Sequence, residues 1–206
     1  MGHLIIALDV ENPQNAIEIT KNAVGLVDYM KIGYPLILSS GLSVVSKISE
    51  MVPVIVDLKI ADIPDVSFSI ADKVMRHGAT GFITHGFVGR DVLEKLRTIR
   101  GEMYVVAEMS HPGSLDFITP VSEKIAVMAK EVGADGLVAP ATRPERIRRL
   151  KDVSNLKIIS PGVGVQGGSP SEAIKYGADY IIVGRSVTSS SNPKEAILKL
   201  LNEIMI

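Results

Sequence analysis

The sequence predicts a closed α/β architecture, a (β/α)8 TIM barrel that forms a single domain over residues 1–206. Three observations point there. Eight short apolar runs alternate with eight longer amphipathic segments, the arithmetic of eight strand–helix units. The runs are apolar throughout rather than strictly alternating, as strands covered on both faces require. The polar residues suited to chemistry gather at the C-terminal ends of those runs, where barrel enzymes build their sites. A doubly wound open sheet is the alternative, and the count of eight favours closure.

The elements follow in order. His3–Asp9 is the first strand, and Ala16–Val24 has the spacing of a helix. Tyr29–Gly33 is the second strand, with Lys31 near its end, and Leu42–Met51 is the helix after it. Val54–Lys59 is the third, ending in Asp57 and Lys59, which lie two apart and so point to the same side of a strand. Val66–His77 follows, then strand Gly81–His85 and helix Val92–Ile99. Strand Tyr104–Met109 leads through Glu108 and Ser110 to helix Val121–Val132. Strand Gly136–Ala139 precedes helix Pro144–Val153, and strand Lys157–Ser160 precedes helix Pro170–Tyr176. Strand Tyr180–Gly184 and helix Pro193–Ile204 close the chain. Proline near the start of several helices (Pro64, Pro144, Pro170, Pro193) fits a first-turn position, where no backbone donor is needed.

Composition narrows the function classes. Hydrophobic residues make up 46% and charged residues 22% of the 206, a globular balance with enough apolar material for a large core. The net charge of −1 gives no support for general nucleic-acid affinity. Cysteine is absent, which removes disulfides, thiolate nucleophiles and Cys-ligated zinc. The apolar run Leu4–Leu8 is too short for a membrane span and lacks the basic start of a signal peptide, so a cytoplasmic protein with no membrane partner is expected.

Several motifs carry chemistry. Asp57-Leu58-Lys59-Ile60-Ala61-Asp62 places three charges at the end of a buried strand, where unpaired charge is costly and a paired set in a cleft marks chemistry. Ser160-Pro161-Gly162-Val163-Gly164 and Gly184-Arg185-Ser186 follow strands seven and eight. Barrels commonly bind phosphate with this pair of loops, through backbone N–H groups, and Arg185 adds a fixed charge. A phosphorylated small molecule is the expected ligand. Gly162-Val163-Gly164-Val165-Gln166-Gly167 also matches a dinucleotide fingerprint, but too little chain follows it for a nucleotide half-fold. His3 and His77 fit surface or strand-edge positions; His85 and His111 lie on the functional face without metal-ligand spacing. The basic helix with Arg143, Arg146, Arg148, Arg149 and Lys151 reads as a solvated charged face, since Ile147 and Leu150 supply its core side.

Taken together, Ala7-Leu8-Asp9, Lys31-Ile32-Gly33-Tyr34-Pro35, Asp57 to Pro64, Glu108-Met109-Ser110-His111-Pro112-Gly113, Ser160 to Gly168 and Val183-Gly184-Arg185-Ser186 resemble the orotidine 5′-phosphate decarboxylase family, in particular its short archaeal-type members. The resemblance runs from Leu4 to about Asn192. It implies a homodimer with sites near the subunit interface, conversion of orotidine 5′-monophosphate to uridine 5′-monophosphate and CO2 in pyrimidine biosynthesis, and no metal or organic cofactor. It implies that Lys31, Asp57, Lys59 and Asp62 form the catalytic array, with Lys59 the proton donor and Asp62 reaching the partner's site. By the same resemblance Asp9 and Lys31 hold ribose hydroxyls, Ser110 faces the pyrimidine edge, and Gln166 and Arg185 grip the phosphate. Ile63, Pro161, Val163, Gly164 and Gly184 complete the implied substrate-binding set. One departure is Val66, where the family usually carries Thr. The alternatives are a Mg²⁺-dependent ketogulonate- or hexulose-phosphate lyase on the same fold and a non-catalytic phosphosugar-binding barrel. The lyases resemble each other in carrying Glu where this chain has Lys31, and an ammonium there removes a hard-cation ligand.

Overall fold

The computed structural model describes residues 3–204. Eight parallel strands close into a barrel in sequence order, each neighbour pairing with the next and β8 returning to β1. In chain order the elements are β1 (Leu4–Ala7), α1 (Pro13–Ala23), β2 (Tyr29–Gly33), α2 (Tyr34–Ser40), α3 (Ser43–Ser49), β3 (Val54–Ile60), α4 (Pro64–Arg76), β4 (Gly81–His85), α5 (Arg90–Arg97), β5 (Glu102–Val106), α6 (Ser114–Phe117), α7 (Ser122–Glu131), β6 (Gly136–Val138), α8 (Pro144–Ser154), β7 (Lys157–Pro161), α9 (Pro170–Lys175), β8 (Tyr180–Val183), α10 (Arg185–Thr188) and α11 (Pro193–Ile204). No helix among the described residues is long and apolar enough to cross a membrane.

The helices start where local chemistry tells them to. Asn12 caps α1, its side chain accepting from the backbone N–H groups of Gln14 and Asn15. Ser169 caps α9 by accepting from the Glu172 N–H, and Asn192 accepts from the Glu195 N–H at the head of α11. Proline opens α1, α4, α8, α9 and α11. Three helices escape the periodicity: α2, α6 and α10 each bury a single residue (Leu36, Ser114 and Val187), so no apolar stripe announces them.

Strand alternation splits the core in two. Ile5, Ala7, Ile55, Ile83, Tyr104, Val106, Val138, Ile159 and Ile182 point into the barrel and pack on one another. Their neighbours, among them Leu4, Ile6, Val54, Val56, Phe82 and Ile181, point outward under the helices. This two-sided burial explains why the strands are apolar throughout. At the N-terminal end the barrel is plugged: the hydroxyls of Tyr29 and Tyr104 donate to the two oxygens of Glu102, at 3.3 and 3.1 Å. Among the described residues the interior therefore opens toward the strand C-termini, and inward positions one step further along β1, β2, β3 and β5 are Asp9, Lys31, Asp57 and Glu108.

Candidate active site

A cavity of about 360 Å³ lies at the C-terminal end of the barrel. Ile83, Val106, Val138 and Ile182 form its apolar floor. Asp57 stands at its base, 6% exposed and bridging two ammonium groups. Lys31 Nζ lies 3.0 Å from Asp57 Oδ2, and Lys59 Nζ lies 2.9 Å from both carboxylate oxygens. Lys31 also reaches Asp9 Oδ1 at 3.4 Å. Gly33 makes that contact possible, since a β-carbon there would stand 2.8 Å from Asp9 Oδ1.

The array is electrically matched. Burial alone would raise the Asp57 carboxyl, but the Lys31 and Lys59 ammoniums outweigh it and hold the group below the usual carboxylate range. Burial would likewise lower Lys31, but the Asp57 and Asp9 carboxylates outweigh that and raise it. Lys31 and Asp57 thus stay charged although both are buried. His85 stands beside the array, its ring tilted against that of Phe87 with centroids 4.5 Å apart. Burial first, and then the Lys59 charge, push His85 down to about 4, so the imidazole is neutral at ordinary pH.

Lys59 owes its position to an irregular strand. Register with β4 jumps from Val56↔Phe82 to Ile60↔Thr84, so β3 spends two extra residues there. Lys59 takes φ +42°, a left-handed conformation that a side chain rarely adopts. The expected shared side for Asp57 and Lys59 is met, but through this bulge rather than by plain alternation.

Opposite the array, the loop after β7 turns through Gly162, Gly164 and Gly167, all with positive φ, and closes on itself with Gly168 N–H donating to Gly162 O at 2.9 Å. Ser110 Oγ donates to Gln166 Oε1 at 2.9 Å, joining the loop after β5 to the loop after β7. Arg185, at the head of α10, completes this wall with Gly184 and Ser186.

This pairing of a charged array with a glycine loop has close parallels. The model of the orotidine 5′-phosphate decarboxylase / HUMPS family matches residues 2–200. The chain belongs to this family. It is 50% identical to the orotidine 5′-phosphate decarboxylase of Methanococcoides burtonii, over 98% of this chain and 97% of that one. It is 45% identical to the Thermococcus kodakarensis enzyme of the same name, over 99% and 97%. The crystal structure of orotidine 5′-monophosphate decarboxylase from Methanocaldococcus jannaschii, complexed with inhibitor BMP, superposes with a TM-score of 0.95 at 38% identity, covering 99% of each chain.

As a member of the decarboxylase family, the chain brings most of the expected residues to one cavity. Asp9, Lys31, Asp57, Lys59, Ser110, Pro161, Val163, Gln166, Gly184 and Arg185 line it. Asp62, Ile63 and Gly164 do not. Gly164 packs against the cavity-lining Ser186, where a β-carbon would meet Ser186 Oγ at 2.8 Å. Asp62 and Ile63 are exposed on the loop after β3. Ser67, fully buried, fixes that loop by donating to Asp62 O at 2.8 Å and accepting from Asp62 N–H at 3.2 Å, so its hydroxyl is already committed. The solvated-face reading of the basic helix is corrected for two of its members. Arg143 and Arg146 turn inward to the wholly buried Glu108, at 2.8 and 2.9 Å. Helical periodicity missed them because Arg143 precedes the helix, while Arg146 lies beside the core residue Ile147 at the helix's first turn. A lone acid at the end of a barrel strand was the available signal.

Proposed function

We propose that this chain converts orotidine 5′-monophosphate to uridine 5′-monophosphate and CO2, with Lys59 as proton donor. The carrying observation is the Asp57 carboxylate held between two ammoniums at the bottom of an apolar cavity, facing a phosphate-type loop. The relatives named above carry this activity in their names. In the reaction the C6–carboxylate bond breaks, CO2 leaves, and the electron pair stays on C6. A vinylic carbanion has little resonance relief, so charge placed in advance supplies the stabilisation. The Lys59 ammonium offers that charge, then its proton, and afterwards recovers a proton from solvent.

The other roles follow from position. Asp57 and Lys31 keep Lys59 oriented and the array neutral. Asp9 and Lys31 take the ribose hydroxyls, Ser110 the pyrimidine edge, and Gln166 with Arg185 the phosphate, alongside Pro161, Val163 and Gly184. Phosphate binding energy then works at a distance by drawing the loop after β7 shut over the base. Exposed Asp62, flanked by exposed Ile63 and Val66, serves the site of a second copy in a homodimer. No cofactor enters this scheme: a Mg²⁺ ion at the array would meet the ammonium of Lys31 where an anionic ligand is needed. The setting is the cytoplasm.

A spectrophotometric decarboxylation assay with EDTA present tests this. The parent is expected to turn over orotidine 5′-monophosphate, and Lys59→Ala to lose at least about 10⁴-fold while staying folded. Chelator sensitivity, or an unchanged Lys59→Ala, refutes the reading.

A further inference from the structure

We propose that Glu108 is a positioning residue: clamped by Arg143 and Arg146, it sets Ser110 for its hydrogen bond with Gln166 and so ties the pyrimidine wall to the phosphate loop. The inference rests on the decarboxylase reading and adds a residue that the reaction scheme above does not use.

Glu108 is 0% exposed, just past the end of β5. A carboxylate so placed is costly unless every lone pair is met. Each oxygen faces its own guanidinium: Arg143 Nε donates to Oε1 at 2.8 Å and Arg146 Nε to Oε2 at 2.9 Å. Replacing such a buried cluster with apolar side chains is often neutral for stability. What the cluster adds here is direction. The spare Arg143 Nη2 donates to the carbonyl of Met109, so one guanidinium grips Glu108 by its side chain and the next residue by its main chain. Arg146 Nη2 donates to Ser122 Oγ, anchoring the same fork to α7. Ser110 follows at once, with its hydroxyl on Gln166 at 2.9 Å.

The clamp is also tied to the phosphate loop through the segment that carries Arg143. Arg143 belongs to the segment after β6, and that segment lies against the loop after β7. Ala141 N–H donates to Pro161 O at 2.7 Å, and Gly168 packs so closely that a β-carbon there would stand 2.8 Å from Ala141 Cβ. The segments after β5 and β6 therefore meet at one buried carboxylate, the loop after β7 joins them through Gln166 and Ala141, and Ser110–Gln166 is the bond held in register. A shift of about 1 Å at such a bond can cost about 100-fold in rate.

The test is a double-mutant cycle. Glu108→Gln and Arg143→Met are made singly and in a Ser110→Ala background, with kcat, KM, uridine 5′-monophosphate affinity and melting temperature measured for each. Arg143→Met leaves Arg146 facing Glu108 and keeps the test readable if Glu108→Gln does not fold. Each single variant is expected to lose about 10- to 100-fold in kcat/KM, mostly through KM, with nucleotide affinity falling in parallel. In the Ser110→Ala background the further loss should shrink to about twofold or less, because the bond served by the clamp is gone. Folded variants with parental kcat/KM, or losses that multiply in full with that of Ser110→Ala, overturn the proposal. A parent that binds uridine 5′-monophosphate without decarboxylating would sink the decarboxylase reading alone, since the affinity cycle still reads the clamp.

Discussion

His85 shows how one residue constrains the conditions under which the site can work. Its imidazole is buried beside the Lys59–Asp57 pair, and its Nδ1 finds no hydrogen-bond partner among the described residues. The ordinary value of 6.5 falls to about 4 on folding, so between those two values the unfolded chain binds a proton that the folded chain does not. Stability therefore holds above about pH 6.5 and declines as pH drops toward about 4, by up to about 3 kcal/mol from this group. Urea midpoints of the parent and of His85→Leu across that range check it: the parent should soften toward acid, and the variant should show a flatter profile. Asp57, held low, adds its own loss only at more acidic pH. The sequence placed His85 at a strand end on the functional face but could not show its burial, which depends on Phe87 folding back over it. Glu108 was visible in the same way, whereas its two arginines, one just before α8 and one in its first turn, were hidden in a basic stretch whose apolar positions alone suggested a solvated face.

At the level of elements, the bulge in β3 is where fold and chemistry conflict. Lys59 at φ +42° carries a conformation that costs a side-chain-bearing residue roughly 1–2 kcal/mol and glycine almost nothing. Lys59→Gly should therefore melt higher than Lys59→Ala, by about 1 kcal/mol in stability, although both are inactive. Equal stabilities would mean that the strain is not there. The loop after β7 makes a second prediction. At Gly168 a β-carbon would lie 2.6 Å from Gly162 O, so Gly168→Ala must open the turn. Nucleotide affinity should fall at least about tenfold while the barrel melts within a few degrees of the parent, as measured by calorimetry. Apolar runs and turn glycines made the strands and this loop legible. The register jump was not, because a bulge follows from pairing with β4 and leaves no local mark; α2, α6 and α10 were missed for want of a buried stripe.

For the whole molecule, the open end of the barrel carries both the cavity and a crown of exposed apolar side chains, including Tyr34, Leu38, Ile63, Val66, Leu115 and Phe117. In the proposed homodimer this crown is covered and Asp62 enters the neighbouring site. Val66→Asp should then shift the protein to monomer in analytical ultracentrifugation and lower activity about 100-fold or more, with cooperative unfolding retained. A monomeric parent with full activity would remove Asp62 from the catalytic array. The closed barrel itself was legible from eight apolar runs; the proposed service of Asp62 to a second copy came only from the family resemblance, because the residue pattern of one chain does not reveal a partner. The central claim is that the Lys59 ammonium stands beside the carbon that loses CO2. A crystal structure with bound uridine 5′-monophosphate tests it most directly. Lys59 Nζ should lie within about 3.5 Å of C6, with the phosphate against Gln166 and Arg185. A Lys59 nitrogen on the far side of the ring, or turned out into solvent, would contradict it.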